Sequence, residues 1–324
     1  DCSFNQLTIL DVSNNTDLTY LNCSGNTGGQ IGGSFSLDIS GATALEELNC
    51  SYNFLTSLDV SNNTALTELN CGGTALTTLD VNQNSALIDL YCSNNPLTYL
   101  NVSNTALSSF VFWGNLGQLE LHINNNTALI ELDCHDNNII SLDASNNTAL
   151  TSLTCGFNNL TSLDVSNNTA LTILTCPVNE LTSLDVSNNT ALTELICGDN
   201  LLTSLDVSNN TALIDLYCGE NYLTSLNLKN LNYFGLSLTA TQNPALICIE
   251  VSDSLFATNA LSSSVDSWSH FSEDCNYVSG IEELSTNKEL LKVTDILGRE
   301  TKQTNQPLFY IYNDGTVEKK MIIE

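Results

Sequence analysis

Apolar and polar positions recur along this chain with one dominant period. The block Asp-Val-Ser-Asn-Asn-Thr-Ala-Leu occurs unchanged at 59–66, 164–171, 185–192 and 206–213, and with one replacement each at 11–18 and 143–150. The last three exact copies follow one another every 21 residues. A repeat of this length marks a solenoid, whose units cannot bury an apolar face alone and stack to share one core. Within a unit, apolar and polar residues alternate over Leu195-Ile196-Cys197 and again over Leu202-Thr203-Ser204-Leu205. Alternation with period two predicts a short strand in each half. Leu195 and Cys197 then face the core, while Glu194, Ile196 and Gly198 face outward.

The inward Cys recurs as Cys2, Cys23, Cys50, Cys71, Cys92, Cys134, Cys155, Cys176, Cys197 and Cys218. A strict period puts Trp113 in the one empty slot, and Ala240 fits a last, degenerate slot, giving twelve slots. At roughly 4.8 Å per stacked strand they span on the order of 55 Å. The step from Cys23 to Cys50 is six residues too long, and Thr27–Gly33 should protrude as a Gly-rich loop. Parallel Cβ vectors disfavour disulfides between neighbouring ladder members, and Cys packs well as a small hydrophobe. Buried free thiols are therefore expected, against disulfides or metal thiolate sites as alternatives.

Polar columns run beside the cysteines. Asn stands three residues after each Cys (Asn5, Asn26, Asn53, Asn95, Asn137, Asn158, Asn179, Asn200, Asn221), where its amide can satisfy buried turn backbone. Thr74 and Leu116 break that column. Asp11, Asp38, Asp59, Asp80, Asp143, Asp164, Asp185 and Asp206 form an acidic column, interrupted by Asn101, His122 and Asn227. Each carboxylate can accept local backbone or hydroxyl bonds. Weak calcium binding is the sharper alternative, although the glycine-rich calcium nonapeptide is absent. A Thr column (Thr56, Thr77, Thr98, Thr161, Thr182, Thr203, Thr224) reads as half-exposed strand.

One unit is irregular. At strict period, Phe110 and Phe112 of Phe110-Val111-Phe112-Trp113-Gly114-Asn115 point outward, beside Asp89 and Tyr91 of the preceding strand and Glu131, Asp133 and His135 of the next. Exposed aromatics among acids mark an interaction site. The competing reading packs these rings inside a broken register. Glu131, Asp133 and His135 share a strand face, yet no second His stands nearby to complete a metal set. The chain has three His in all, and Cys134 should point away from His135, so nothing suggests an enzyme.

Charge sharpens the class. Lys229 is the one base in residues 1–279; the other six lie in the last 45 residues, with eight of the 36 acids. So anionic a solenoid repels nucleic acid and anionic lipid, and suits neutral or cationic partners. No run of 18 apolar residues occurs, so no membrane-spanning helix is expected. The chain starts inside a repeat without initiator Met, which reads as part of a longer precursor.

The motif Leu192-x-x-Leu195-x-Cys197-x-x-Asn200-x-Leu202 resembles the 21-residue, Cys-containing leucine-rich repeats of bacterial surface proteins, internalin-like ones included. The resemblance covers residues 1–247 and implies a β-rich parallel-strand solenoid that binds a protein or glycan at the cell surface. Residues 248–279 resemble the C-terminal cap of such proteins. Cys248 and Cys275 are the natural pair to staple that cap. Residues 280–324, through Asp295-Ile296-Leu297-Gly298-Arg299 and Pro307–Lys320, resemble the type A sorting domain of the type IX secretion system. That implies a small β-sandwich-like domain, export across the outer membrane, and a sorting signal comprising Asp295, Gly298, Arg299, Asp314, Gly315, Lys319 and Lys320. The expected function is thus an exported, non-enzymatic adhesion or binding module without cofactor. The alternatives are a passive stalk displaying an upstream domain and a calcium-stabilised scaffold.

Overall fold

In the computed structural model the described residues are 1–26, 34–275, 290–294, 300–301, 307–312 and 317–321. The chain divides into two compact units, Asp1–Asp274 and Cys275–Glu324. The expected Gly-rich loop at 27–33 lies outside the described residues.

The first unit is a solenoid of three-residue parallel strands. Eleven of them, from Tyr20–Asn22 to Ser237–Thr239, line the Cys side. They stack Leu on Leu: Leu153 faces Leu174, Leu174 faces Leu195, and Leu195 faces Leu216. A second set lines the Asp side, including Thr78–Asp80, Tyr99–Asn101 and Glu120–His122 in one sheet and Ser204–Asp206, Ser225–Asn227, Cys248–Glu250 and His270–Ser272 in another. Between the two sides lies a single core. Its Leu and Cys rungs, such as Leu174, Cys176, Leu195 and Cys197, have no measurable exposure.

Ten cysteines are free, nine of them buried, and Cys248 and Cys275 are disulfide-bonded. Burial pushes the thiols of Cys71, Cys176 and Cys218 up to about 12, because the thiolate would lose its hydration. The ladder is thus apolar filling, without nucleophilic character at neutral pH.

Two Asn columns satisfy the buried turns. Asn200 donates to the carbonyls of Cys176 (3.0 Å) and Cys197 (3.2 Å) and accepts from Leu181 N–H (3.0 Å). The spacing from the ladder Cys does not reveal the second column. It is the fifth residue of the repeated block: Asn189 donates to Val165 O and Asn168 O, both at 2.9 Å, from full burial. Each amide thereby ties its own unit to the one before it. Thr74, expected to disturb the first column, stands in for Asn: its hydroxyl lies 3.1 Å from Cys71 O and 2.5 Å from Asn95 Oδ1.

The Asp column caps turns. Asp185 Oδ1 accepts Ser187 N–H at 2.9 Å, and the same bond recurs at Asp59, Asp143, Asp164 and Asp206. Bonds from the Ser187 hydroxyl and backbone hold the Asp185 carboxyl below its ordinary value.

The solenoid ends on the helix Ser254–Leu261, started by Asp253, whose side chain accepts Phe256 N–H at 2.9 Å. Ala257 and Leu261 are its buried residues. The last strand, His270–Ser272, pairs in parallel with Cys248–Glu250.

The second unit contains a three-stranded antiparallel sheet, Leu290–Thr294, Pro307–Tyr312 and Val317–Met321, with Pro307–Tyr312 central. Of the sorting residues, Asp295, Gly298, Arg299, Asp314 and Gly315 lie outside the described residues; Lys319 and Lys320 sit on the last strand.

Candidate functional site

The irregular unit differs from its strict-period reading. Phe110 and Phe112 do not face solvent: they are 1% and 0% exposed, and their rings stack at 4.5 Å and 20°. Phe110 pairs with Leu132 and so fills the Leu slot. Phe112 N–H donates to Asp133 O at 2.9 Å, as Cys134 N–H donates to Thr154 O, so Phe112 fills the Cys slot. Trp113, expected inside, is 43% exposed. Asn115, not Leu116, continues the Asn column: it is fully buried and its N–H donates to Asn137 Oδ1 at 3.2 Å.

The physical reason lies in two compensating length changes. Asn101-Val102-Ser103-Asn104-Thr105-Ala106-Leu107 is the repeated block with one Asn missing. Thr105 takes over the buried Asn position; its hydroxyl donates to Val102 O at 2.8 Å and receives Asn126 Nδ2 at 2.6 Å. The strand Ser109–Val111 therefore arrives one residue early. The missing residue is restored between Asn115 and Leu121, and the Asp-side strand Glu120–His122 pairs with Tyr99–Asn101 at a separation of 21. Hydrogen-bonded pairing on the Cys side is interrupted between Asp89–Tyr91 and Ser109–Val111.

The other expected site residues lie at the surface around this seam. Asp89 and Glu131 are exposed, Tyr91 is 51% exposed, and Asp133 and His135 are half-buried. The Trp113 and His135 rings stack at 6.0 Å and 12°. His135 Nδ1 lies 2.6 Å from Asp133 Oδ1, which fixes the imidazole against the indole. Glu131 Oε2 accepts Ser109 Oγ at 2.9 Å. Trp113 N–H in turn donates to Ser93 Oγ at 3.3 Å. Trp113, stacked on His135, thus forms an exposed aromatic platform at this seam, with Tyr91 exposed on the preceding strand and Asp89, Glu131 and Asp133 on the flanking strands. The signal that locates Trp113 is the local motif: Phe110-x-Phe112-x-x-Asn115 matches Leu-x-Cys-x-x-Asn once the period is relaxed.

Asp133 and His135 bond each other and Ser109 engages Glu131, and among the described residues no group of three or more His, Cys, Asp or Glu could hold a metal. Asp-side residues at the same height form a parallel set: Tyr99 and His122 rings lie 5.2 Å apart, and His122 Nε2 is 3.0 Å from Glu120 Oε1. Along the described residues no helix is long and apolar enough to cross a membrane.

No protein-family model and no curated protein matches this chain. Solved structures do. The leucine-rich repeat domain of APL1B is 20% identical, with a TM-score of 0.55, over 81% of this chain and 78% of that one. The functional domain of InlJ from Listeria monocytogenes, which includes a cysteine ladder, is 35% identical, with a TM-score of 0.48, over 73% of this chain and 54% of that one. This chain thus spans about half the length of the InlJ domain. YopM of Yersinia pestis, a leucine-rich effector protein, is 21% identical, with a TM-score of 0.47, over 68% of this chain and 65% of that one. The fold is that of the leucine-rich repeat: a parallel-strand solenoid with a 21-residue unit.

Proposed function

We propose that this chain is a non-enzymatic binding module whose Cys-side strand face recognises a protein or glycan through Trp113 and Tyr91. One observation carries this reading. Beside strands presenting mainly Ser, Thr, Asn, Asp and Glu, the Trp113 indole is exposed and stacked on His135, whose ring is bonded in turn by half-buried Asp133. An aromatic face already fixed in place loses little side-chain entropy on binding, and large rigid rings supply much of the energy at interfaces. Acids at the rim select partners with complementary donors or positive charge. The internalin-like repeat pattern of the sequence supports a role at the cell surface. Export through a type IX sorting signal in residues 280–324 rests on that segment's own resemblance.

The test is a glycan and surface-protein binding screen with the full chain, repeated with Trp113→Ala and Tyr91→Ala. A ligand whose affinity falls at least tenfold in both variants, with unchanged circular dichroism and melting temperature, supports the site. Ligands indifferent to both substitutions, or none at all, favour the passive stalk. For export, residues 280–324 fused to a reporter should carry it to the surface of a bacterium that possesses type IX machinery, and Arg299→Ala with Lys319→Ala should retain it inside.

A further inference from the structure

A second surface begins one unit beyond His135, along the edge where each unit turns out of its Cys-side strand. The residue two places after the ladder Cys has positive φ throughout: Gly25, Gly73 and Gly114 hold it as glycine, and Asn94, Asp136 and Asp199 as residues that tolerate it. Other units place less tolerant residues there, among them Phe4, Tyr52, Glu220 and Gln242, and two neighbouring mid-solenoid units do so with apolar side chains. Phe157 (φ 54°) and Val178 (φ 55°) place an aromatic and a β-branched side chain there, 57% and 37% exposed. Both backbones are pinned, with Phe157 N–H donating to Pro177 O and Val178 N–H to Gly198 O. The next two units add exposed Leu201 and Tyr222, beside a groove of about 410 Å³ that Asp199, Glu220 and Pro244 also line.

Four successive units therefore display an apolar side chain on one edge, with acids around it: Asp136 in the unit before, and Glu180, Asp199 and Glu220 beside Val178, Leu201 and Tyr222 in their own units. These acids find no cation in their own unit. The one base of residues 1–279, Lys229, is bound to Glu250 at 2.7 Å. Asp199 instead hydrogen-bonds Glu220 and, with its like charge, pushes the Glu220 carboxyl above the ordinary carboxylate value. An apolar strip flanked by uncompensated acids favours a partner that brings apolar side chains and positive charge together.

We propose that the edge formed by Phe157, Val178, Leu201 and Tyr222, with Asp199 and Glu220, docks a basic protein segment in which apolar residues alternate with Lys or Arg. An extended segment running along the stacked units can set apolar side chains against the strip at every second residue, while long, flexible Lys and Arg stems reach the flanking carboxylates. The apolar residues cover the strip, and the cations reach the carboxylates.

The test uses the full chain and fluorescently labelled peptides read by anisotropy. One peptide is Leu-Lys-Phe-Arg-Leu-Lys; the control is Leu-Glu-Phe-Ser-Leu-Glu. The basic peptide should bind at least tenfold more tightly and weaken as salt rises. Two double variants locate the site: Phe157→Gly with Val178→Gly, where glycine suits the backbone and the fold is retained, and Asp199→Asn with Glu220→Gln. Each should weaken binding at least fivefold, while Trp113→Ala leaves it unchanged. Equal binding of both peptides overturns the proposal, as does an affinity indifferent to the glycine pair. An affinity indifferent to the amide pair overturns the cationic partner.

Discussion

Phe110 and Phe112 stack on each other inside the solenoid, one in a Leu rung and one in a Cys rung. Two phenyl rings fill volume that elsewhere holds an isobutyl group and a thiol, and they do so where the chain is one residue out of phase. Phe110→Ala should therefore destabilise the solenoid by about 3–5 kcal/mol, through lost burial and the cavity left behind. Trp113→Ala should cost clearly less, about 1 kcal/mol, since Trp113 is already 43% exposed and fills no core slot. Urea denaturation of the two variants checks both, and equal losses would return Trp113 to the core.

The thiols give a chemical reading of the same core. At pH 8 in the native protein, ladder members from Cys23 to Cys218 should resist iodoacetamide, while half-buried Cys2 reacts. In denaturant all ten free cysteines should react. Mass spectrometry after timed alkylation counts them directly.

Alkali should weaken the fold through those thiols. Burial raises their folded pKa, to about 12 for Cys71, Cys176 and Cys218, so the folded state holds protons that the unfolded chain gives up. The stability they contribute is full below the unfolded thiol value of about 8.5 and falls as pH rises toward about 12, by about 1.4 kcal/mol per pH unit for each thiol. Denaturation midpoints between pH 7.5 and 10.5 should drop steeply, and less steeply in Cys176→Ala with Cys197→Ala.

Asn200→Ala should cost about 2–4 kcal/mol. It strips a buried amide from three carbonyls and one N–H in a turn closed to water. The exposed neighbour Leu201→Ala should cost less than about 1 kcal/mol. Thermal unfolding of the pair separates hydrogen bonding from a general intolerance of this turn.

Val178→Gly should stabilise the chain by about 1 kcal/mol. A β-branched residue at φ 55° carries strain of about 1–3 kcal/mol, which outweighs the extra freedom glycine adds to the unfolded state. A higher melting temperature with weaker binding of the basic peptide would show that Val178 is kept for contact rather than for folding.

Much of this molecule is dictated by its sequence alone. The 21-residue period fixes a stacked architecture, because no single unit has enough apolar surface to fold by itself. Alternation over Leu195-Ile196-Cys197 decides which side chains enter the core, and Asn200 follows because each buried turn leaves backbone groups to be paired. The break at 101–121 was also written there: Asn101–Leu107 lacks one Asn of the block, and Phe110-x-Phe112-x-x-Asn115 keeps the local motif. A strict period conceals it, because a one-residue slip sends every strand side chain to the opposite face. Only the tertiary structure decides how far that slip travels. Packing forces Phe110 and Phe112 inward and turns Trp113 out, and one added residue before Leu121 returns the Asp-side strand to phase. The same holds for the strained edge at Phe157 and Val178. Their positive φ is set by bonds to the next unit, Pro177 O and Gly198 O, and no local preference of Phe or Val predicts it.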